Sequence, residues 1–308
     1  MADINMYNVV VIISSYNGEK HIQKQLDSIC KQKNVNISIY IRDDHSLDRT
    51  IKVIEKYKEK NRKVPIYIEQ GEDNLGYAKS FWTALKNAPE ADYYAFADQD
   101  DIWKPEKLQK SIDIMTAEPD IPQLSYCKMQ RSDEKLRRLN EQIEVMKPEE
   151  LSKKLVLIKT YNYGAATVIN SQARKLICRC WPKIEDLPHD MWFGAICYWF
   201  GKVYYVDEEL YYWIRYNTSV TGEGTKKTGI IYRIKKSLAG KSYPNICQDI
   251  LNNYSDLIEI EDLDFLRYAV YYKSNFKYKC KLLSDRGFKR TSVSGTIALK
   301  LGILFNWY

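Results

Sequence analysis

Residues 9–18 read Val9-Val10-Val11-Ile12-Ile13-Ser14-Ser15-Tyr16-Asn17-Gly18. Five apolar, β-branched side chains give way at once to small polar residues and a glycine. A run this short and this apolar suits a strand buried on both faces, as in the interior of a parallel sheet. Its abrupt polar end places a turn at the rim of that sheet. The pattern recurs downstream. Ile37–Ile41 (ISIYI) ends at Asp43-Asp44-His45-Ser46, and Ile66–Glu69 (IYIE) ends in GEDNLG. Tyr93–Ala97 (YYAFA) ends at Asp98-Gln99-Asp100-Asp101.

Between these runs apolar residues recur at helical spacing. Ile22, Leu26 and Ile29 form one stripe, and Ile51, Ile54 and Tyr57 a second, with Asp48 placed to cap it. Ala78, Phe81, Trp82 and Leu85 form a third. Leu108, Ile112 and Met115 follow Pro105, which fits a first helical turn. Strand and helix alternate four times before residue 116, which predicts βαβ units and a parallel sheet with flanking helices, an α/β fold. Such sheets bind ligands at the carboxyl ends of their strands. The clusters Ser14–Gly18, Asp43–Ser46 and Asp98–Asp101 are therefore expected to meet on one rim.

Beyond Gln123 the pattern loosens. The charged stretch Arg131–Lys159 is expected to be helical, whereas Ala165–Ile169 and Lys202–Ile214 (KVYYVDEELYYWI) favour strands. From Lys226 onward 15 Lys and Arg face 7 Asp and Glu, while the residues before it carry 32 against 33. The excess positive charge thus lies in the last quarter. It suggests two parts with different partners, a main region over residues 1–222, which would be the catalytic one if the chain is an enzyme, and a basic, mainly helical region over 223–308. In the latter, Ile230, Ile231, Ile234 and Leu238 make a stripe beside Arg233, Lys235 and Lys236. Phe276–Leu282 interleaves aromatic and basic residues, and Leu304-Phe305-Asn306-Trp307-Tyr308 follows later. Packing on the catalytic region, contact with an anionic membrane surface and pairing with a second copy of the chain all suit such a region.

The totals set bounds. The 308 residues, 45% hydrophobic and 28% charged, are those of a soluble globular protein with a sizeable core. No apolar run approaches the roughly 20 residues needed to cross a bilayer, and the first residues lack the basic leader and long apolar stretch of a secretory signal. The seven cysteines are scattered, without zinc or disulfide spacing. A cytoplasmic protein with reduced thiols is expected, with the inner face of the cell membrane as a place of peripheral contact.

Asp98, Asp100 and Asp101 lie within four residues at the end of an apolar run. Clustered carboxylates repel one another or take up protons unless a cation neutralises them. A hard divalent ion, Mn²⁺ or Mg²⁺, does so while leaving positions open for phosphate. The cluster therefore has the chemistry of a metal seat for a diphosphate, although an aspartate capping the next helix would account for part of it.

In their order and spacing, SSYNGEKHIQKQLDSI, IRDDHSLDRT, DNLGYAKSFWTAL and FADQDDIWKPEKL resemble the family 2 inverting glycosyltransferases. ADQDDIW followed by KPEKL is similar to bacterial rhamnosyltransferases of cell-surface polysaccharide assembly. The resemblance covers roughly residues 7–220 and is most specific in its first half. It implies the glycosyltransferase A fold: a Rossmann-like, mixed but mostly parallel sheet flanked by helices, here with a C-terminal helical appendage. It also implies a UDP- or dTDP-sugar donor, a divalent metal, a glycan acceptor that is lipid-linked in some members, and no nucleic acid.

Carried over by position, Ser14, Tyr16 and Glu19 would lie around the nucleotide. Asp43 or Asp44 would meet the pyrimidine, a choice the sequence leaves open. Asn74, Gly76 and Lys79 would cross above the nucleotide, Asp98 would face ribose or sugar, and Asp100 would hold the metal with Asp101 beside it. Pro188-His189-Asp190-Met191-Trp192 resembles the family motif that opens a helix and supplies the general base. Asp190 would be that base, and His189 and Trp192 would contact sugar or acceptor. Arg215 stands where the family often has a histidine. A guanidinium can pair with diphosphate but cannot ligate a metal. Asn217–Gly222 would form a loop closing on the donor.

Two other classes weigh less. A nucleotidyltransferase would need a denser glycine loop than SSYNGEKHI to grip triphosphate. A nucleic-acid binder would rest on the basic C-terminal region alone.

Overall fold

The computed structural model describes residues 6–115, 118–140, 143, 145–184, 187–216 and 243–308. The expected loop at Asn217–Gly222, the stripe Ile230–Leu238 and the boundary at 222/223 lie outside these residues.

Eight strands form one sheet: β1 (Asn8–Ser15), β2 (Asn36–Asp43), β3 (Ile66–Gln70), β4 (Tyr93–Asp98), β5 (Ile102–Trp103), β6 (Gln123–Ser132), β7 (Thr167–Asn170) and β8 (Lys202–Ile214). Their spatial order is β3-β2-β1-β4-β7-β6-β8-β5. The pairs β1–β2, β1–β4, β2–β3 and β6–β8 are parallel. Strand β7 runs antiparallel between β4 and β6, and β5 runs antiparallel to β8. Val9–Ile13 is buried throughout, as a central strand covered on both sides requires. Helices α1 (Ile22–Ile29), α2 (Thr50–Lys60), α3 (Tyr77–Asn87) and α4 (Lys107–Asp113) occupy the four predicted positions. Arg49, not the expected Asp48, stands at the N-cap of α2; Asp48 precedes it, its Oδ1 accepting the Thr50 N–H at 2.9 Å.

The rim turns are tied together. Asn17 and His45 adopt left-handed backbone (φ 49° and 67°) immediately past β1 and β2, a region that Asn and His tolerate better than most residues. Asn17 N donates to Ser46 Oγ at 2.9 Å, and Asn17 Oδ1 accepts from Leu47 N at 2.9 Å. The first polar cluster is thereby fixed against the second.

The expected helix over Arg131–Lys159 is not found among the described residues. Strand β6 runs on to Ser132, and Asp133 Oδ1 then accepts the N–H groups of Lys135 and Arg137, each at 2.9 Å. Leu136 takes left-handed backbone (φ 61°), and a single 3₁₀ turn follows at Pro148–Glu150. Leu136, Leu139, Ile143 and Met146 keep a helical spacing, but Asp133 takes up the first backbone donors after β6 and Pro148 interrupts the run.

Helices α5 (Ser171–Ile177) and α6 (His189–Phe200) precede β8, and α7 (Tyr243–Asn253), α8 (Ile260–Tyr271), α9 (Phe276–Ser284) and α10 (Val293–Leu304) form the predicted helical C-terminal region. The apolar core is continuous from the sheet into these last helices. Tyr254 Oη donates to Leu176 O at 3.1 Å, and Lys153 bridges to Glu259 and Asp262. Among the described residues no helix is long and apolar enough to cross a membrane, and all seven cysteines are free thiols.

Gly201 joins α6 to β8. A Cβ there would stand 2.2 Å from Pro122 O, a backbone atom that cannot step aside. Its φ of −154° is open to any residue, so the constraint is the close approach alone. Gly201→Ala is expected to destabilise the fold by about 1–3 kcal/mol, read as a lower urea midpoint at unchanged slope.

Candidate active site

The carboxyl ends of β1, β2 and β4 and the first turn of α6 open onto one cavity of about 640 Å³. Ser14, Tyr16, Asp44, Asn74, Gly76, Asp98, Asp100, Asp101, His189 and Asp190 all line it. Positions spread from residue 14 to residue 190 are thus brought together.

Of Asp43 and Asp44, only Asp44 lines the cavity. Asp43 is buried behind the rim: its Oδ1 accepts from Ser15 Oγ (2.9 Å) and Ser46 Oγ (2.6 Å), and its Oδ2 from Ser46 N (2.8 Å). Asp44 faces the cavity. Its Oδ1 accepts Leu75 N at 2.9 Å and its Oδ2 accepts Gly76 N at 2.8 Å. Arg42 Nη1 also donates to Asp44 Oδ1 and reaches Ser80 Oγ at 3.0 Å. Ser80 Oγ in turn accepts from Ser14 Oγ at 2.7 Å. One buried guanidinium therefore sets the second cluster and, through Asp44, the Asn74–Gly76 turn. Gly76 adopts φ 77° there, which favours glycine.

Gln99 locks the third cluster to the first. Its Oε1 accepts Tyr16 N at 3.0 Å, and its Nε2 donates to Tyr16 O at 2.9 Å.

The carboxylates behave as one electrostatic unit. Burial, with Asp100 and Asp190 close by, pushes the Asp98 carboxyl up to about 7. Burial also raises Asp100, against the pull of His21 and Arg215. Asp101 is raised well above the usual range by burial and by its neighbours Asp98 and Asp100. Its Oδ1 accepts Ile214 N at 3.4 Å, and its Oδ2 has no hydrogen-bond partner. Behind it Lys107 is fully buried, with Nζ 3.8 Å from the centre of the Trp103 ring. Among the described residues no group of three or more His, Cys, Asp or Glu forms a ready metal cage. The donor set nevertheless fits Mg²⁺ or Mn²⁺, which take one or two carboxylates and fill the remaining positions with water and phosphate. The raised carboxyls and the orphaned Asp101 oxygen are what such an ion would relieve.

On α6, Asp190 lies in the first turn, its Oδ1 accepting Met191 N at 2.8 Å. His189 lines the cavity from a buried position, stacked on Phe81 at 4.3 Å between ring centres. Burial depresses its imidazole to about 3, so the ring is neutral at physiological pH. Its two nitrogens have no hydrogen-bond partner. A Cβ at Gly164 would lie 2.4 Å from Nε2, so only glycine leaves room for the ring.

Besides Asp43, four expected site residues lie outside the cavity lining. Trp192 is fully buried away from the cavity, its Nε1 donating to Cys180 O at 3.1 Å and its ring packed on Tyr254. Two residues along a helix is about 200° of rotation, so Trp192 and Asp190 point to opposite sides. Glu19 does not line the cavity; its Oε2 accepts Arg49 N at 3.0 Å and so pins the start of α2. Lys79 is exposed on α3 and outside the lining. Arg215 stands close enough to Asp100 to favour its ionised form, and its guanidinium lies 4.9 Å from the Trp213 ring centre.

Sequence reading did not single out Arg42, Gln99 or the cavity wall made by Tyr77, Phe81, Met129, Tyr163, Tyr211 and Trp213. The signal for Arg42 was a charge inside an apolar strand run. Of the wall residues, Tyr211 and Trp213 lie two apart on β8 and so face the same side, as the period of a strand demands.

Comparison with known proteins agrees with this architecture. The profile of Glycosyl transferase family 2 matches residues 10–177, more than half of the chain. The dTDP-rhamnosyl transferase RfbG of Shigella flexneri is 36% identical over 105 residues, 33% of this chain and 36% of that protein. The putative teichuronic acid biosynthesis glycosyltransferase TuaG of Bacillus subtilis is 34% identical over 107 residues, 35% of this chain and 41% of that protein. The matches span about two fifths or less of these relatives' own length. Among solved structures, S. aureus TarS 1-349 in complex with UDP-GlcNAc superposes with a TM-score of 0.60, at 18% identity, over 97% of this chain and 80% of that one. A mannosyltransferase from Pyrobaculum calidifontis, PcManGT, in complex with GDP-Man and Mn²⁺ gives 0.51 at 17% identity, over 99% and 82%. These two likenesses establish the glycosyltransferase A fold. With its profile match over residues 10–177, the chain belongs to glycosyltransferase family 2.

Proposed function

We propose that the chain transfers a sugar, with inversion, from a nucleoside-diphosphate sugar to a hydroxyl of a growing bacterial cell-surface glycan. One observation carries this reading: Asp44, Asp98, Asp100 and Asp190 line a single cavity large enough for a nucleotide sugar. Ser14, Tyr16, Asp44 and the Asn74–Gly76 turn would hold the nucleoside, with Asp98 facing ribose or sugar. Asp100, backed by Asp101, would hold Mn²⁺ or Mg²⁺, and such an ion would offset the charge of the departing diphosphate. Arg215, next to Asp100, would pair with the same diphosphate.

Asp190 would accept the proton of the attacking hydroxyl. As the new bond from the acceptor oxygen to the anomeric carbon forms, the bond from that carbon to diphosphate breaks, and the electron pair leaves with the diphosphate. His189, neutral and buried with both nitrogens available, suits a hydrogen bond to sugar or acceptor rather than proton transfer at neutral pH. Likeness to RfbG makes rhamnose the candidate sugar and dTDP or UDP the candidate nucleotide. We place the catalytic region at residues 1–222, residues 223–308 as its helical appendage, and the protein in the cytoplasm, where such donors are made. Family membership favours sugar transfer over nucleotidyl transfer.

The test is a thermal-shift titration with UDP, dTDP and their sugars, with and without Mn²⁺. A rise in Tm that grows with Mn²⁺ is expected, and Asp100→Ala should lose the Mn²⁺-dependent part while keeping the rest. A response indifferent to Mn²⁺ in both proteins would remove the metal from the scheme.

A further inference from the structure

Helix α10 is apolar on two sides, with Ser294, Thr296 and Lys300 as its polar side chains. Leu299 and Ile303 bury one side, and Tyr308 folds back over Gly302, where a Cβ would stand 2.2 Å from the tyrosine ring. The other side carries Val293, Ile297 and Leu301, spaced by four residues, then Phe305, and all four are exposed, Val293 by 79% and Phe305 by 57%. An apolar helix stripe left exposed opposite a buried one suits a contact with another apolar phase.

The end of α10 is built, not frayed. Asn306 takes left-handed backbone (φ 59°), and Trp307 N donates to Gly302 O at 2.8 Å. Tyr272 Oη donates to Tyr308 O at 3.1 Å. This reversal tucks Tyr308 inward and turns Phe305 and Trp307 outward as a stacked pair, 5.2 Å between ring centres. Trp307 remains 47% exposed.

Positive charge lies alongside. Lys279 Nζ donates to Leu304 O at 3.4 Å and Lys300 Nζ to Leu282 O at 2.8 Å, so α9 and α10 run antiparallel. The start of α9, with Phe276 80% exposed and Lys277 beside it, therefore lies at the same end as Phe305 and Trp307. From Lys273 to Ser284 the chain carries Lys273, Lys277, Lys279 and Lys281 and no acid, whereas Arg286, Lys289 and Arg290 belong to the α9–α10 connection at the other end.

We propose that this end of the α9–α10 pair is a peripheral docking surface for an anionic lipid bilayer. Phe276, Phe305 and Trp307 would enter the boundary between headgroups and acyl chains, and the surrounding lysines would meet lipid phosphates. A second copy of the chain fits less well. A twofold pairing through this face would bring the same lysines against one another, whereas a negatively charged surface complements them. The inference is independent of the catalytic reading.

Co-sedimentation of the full chain with vesicles tests it, using phosphatidylcholine alone or with phosphatidylglycerol added, at low and high salt. Partition onto the phosphatidylglycerol vesicles alone is expected, weakened by salt. Lys277→Gln, which touches no internal contact named above, should weaken it roughly fivefold, and Phe305→Ser with Trp307→Ser should abolish it without lowering Tm appreciably. Asp190→Asn should bind vesicles as the native chain does, which keeps the failure of either reading distinguishable. Absence of partition, or equal partition by all variants, overturns the proposal. So does a dimer in light scattering that separates in the Phe305→Ser, Trp307→Ser variant without any vesicle binding, which would assign the face to self-association.

Discussion

Asp190→Asn is expected to lower sugar transfer by roughly 10²–10⁴-fold while leaving nucleotide-induced stabilisation intact. The substitution preserves shape, and the amide oxygen can still accept the Met191 N–H that now meets Asp190 Oδ1 at 2.8 Å. The first turn of α6 should therefore keep its place. What disappears is a carboxylate able to take a proton inside the cavity. The neutral, buried His189 next door is poorly suited to replace it, since burial holds its imidazole near 3. The measurement pairs steady-state release of nucleoside diphosphate with a thermal shift on the same preparation. Turnover close to that of the native chain, with binding unchanged, would transfer the base role to another group.

The second large effect concerns Arg42. Its side chain and that of Asp44 are only 4% and 3% exposed. The guanidinium also lies 3.4 Å from Glu69 and against Gly71, where a Cβ would come within 2.5 Å of Nη2. Removing one member of a buried ion pair leaves the other as an uncompensated charge and costs about 3–5 kcal/mol. Arg42→Met should therefore lower the urea midpoint by that equivalent. It should also weaken nucleotide binding, because Asp44 positions the Leu75 and Gly76 N–H groups. Arg42→Met combined with Asp44→Asn should recover part of the stability, since the stranded charge is gone, but none of the binding. If the single variant melts like the native chain, the pair does not organise the rim.

Where apolar runs and their polar ends repeat with regular spacing, the sequence was sufficient. β1 to β4, the four helices between and after them, and the meeting of three rim clusters follow from periodicity, because a parallel sheet has one way to bury such strands. β8 was legible from its aromatic and β-branched content, and its bounds agree with Lys202–Ile214. What could not be read depends on partners distant in sequence. The short β5 exists only because Ile102 and Trp103 pair with Tyr212 and Tyr211. The insertion of β7 between β4 and β6 is set by tertiary pairing, not by its four residues. The stretch after Ser132 misled because charge resembles a helix surface while its donors are spent on Asp133. Within the site, cavity-facing Asp190 was readable from its motif. The direction of Trp192, two residues on, needed the helix phase and the position of Tyr254. Glu19 and Lys79 show the limit of transferring roles by position: one caps a neighbouring helix and the other faces solvent.

The stitching of the rim has a consequence for recognition. Gln99 clasps Tyr16 by two hydrogen bonds, Asn17 is bonded to Ser46 and Leu47, and Asp44 grips the Leu75–Gly76 backbone. Three turns that would otherwise fluctuate separately are already fastened to one another before any guest arrives. The entropy of ordering them belongs to folding and is not charged again to each encounter. Successive turnovers then begin from the same receptive shape, and selectivity among nucleotides falls to the contours of a cradle that does not have to be remade.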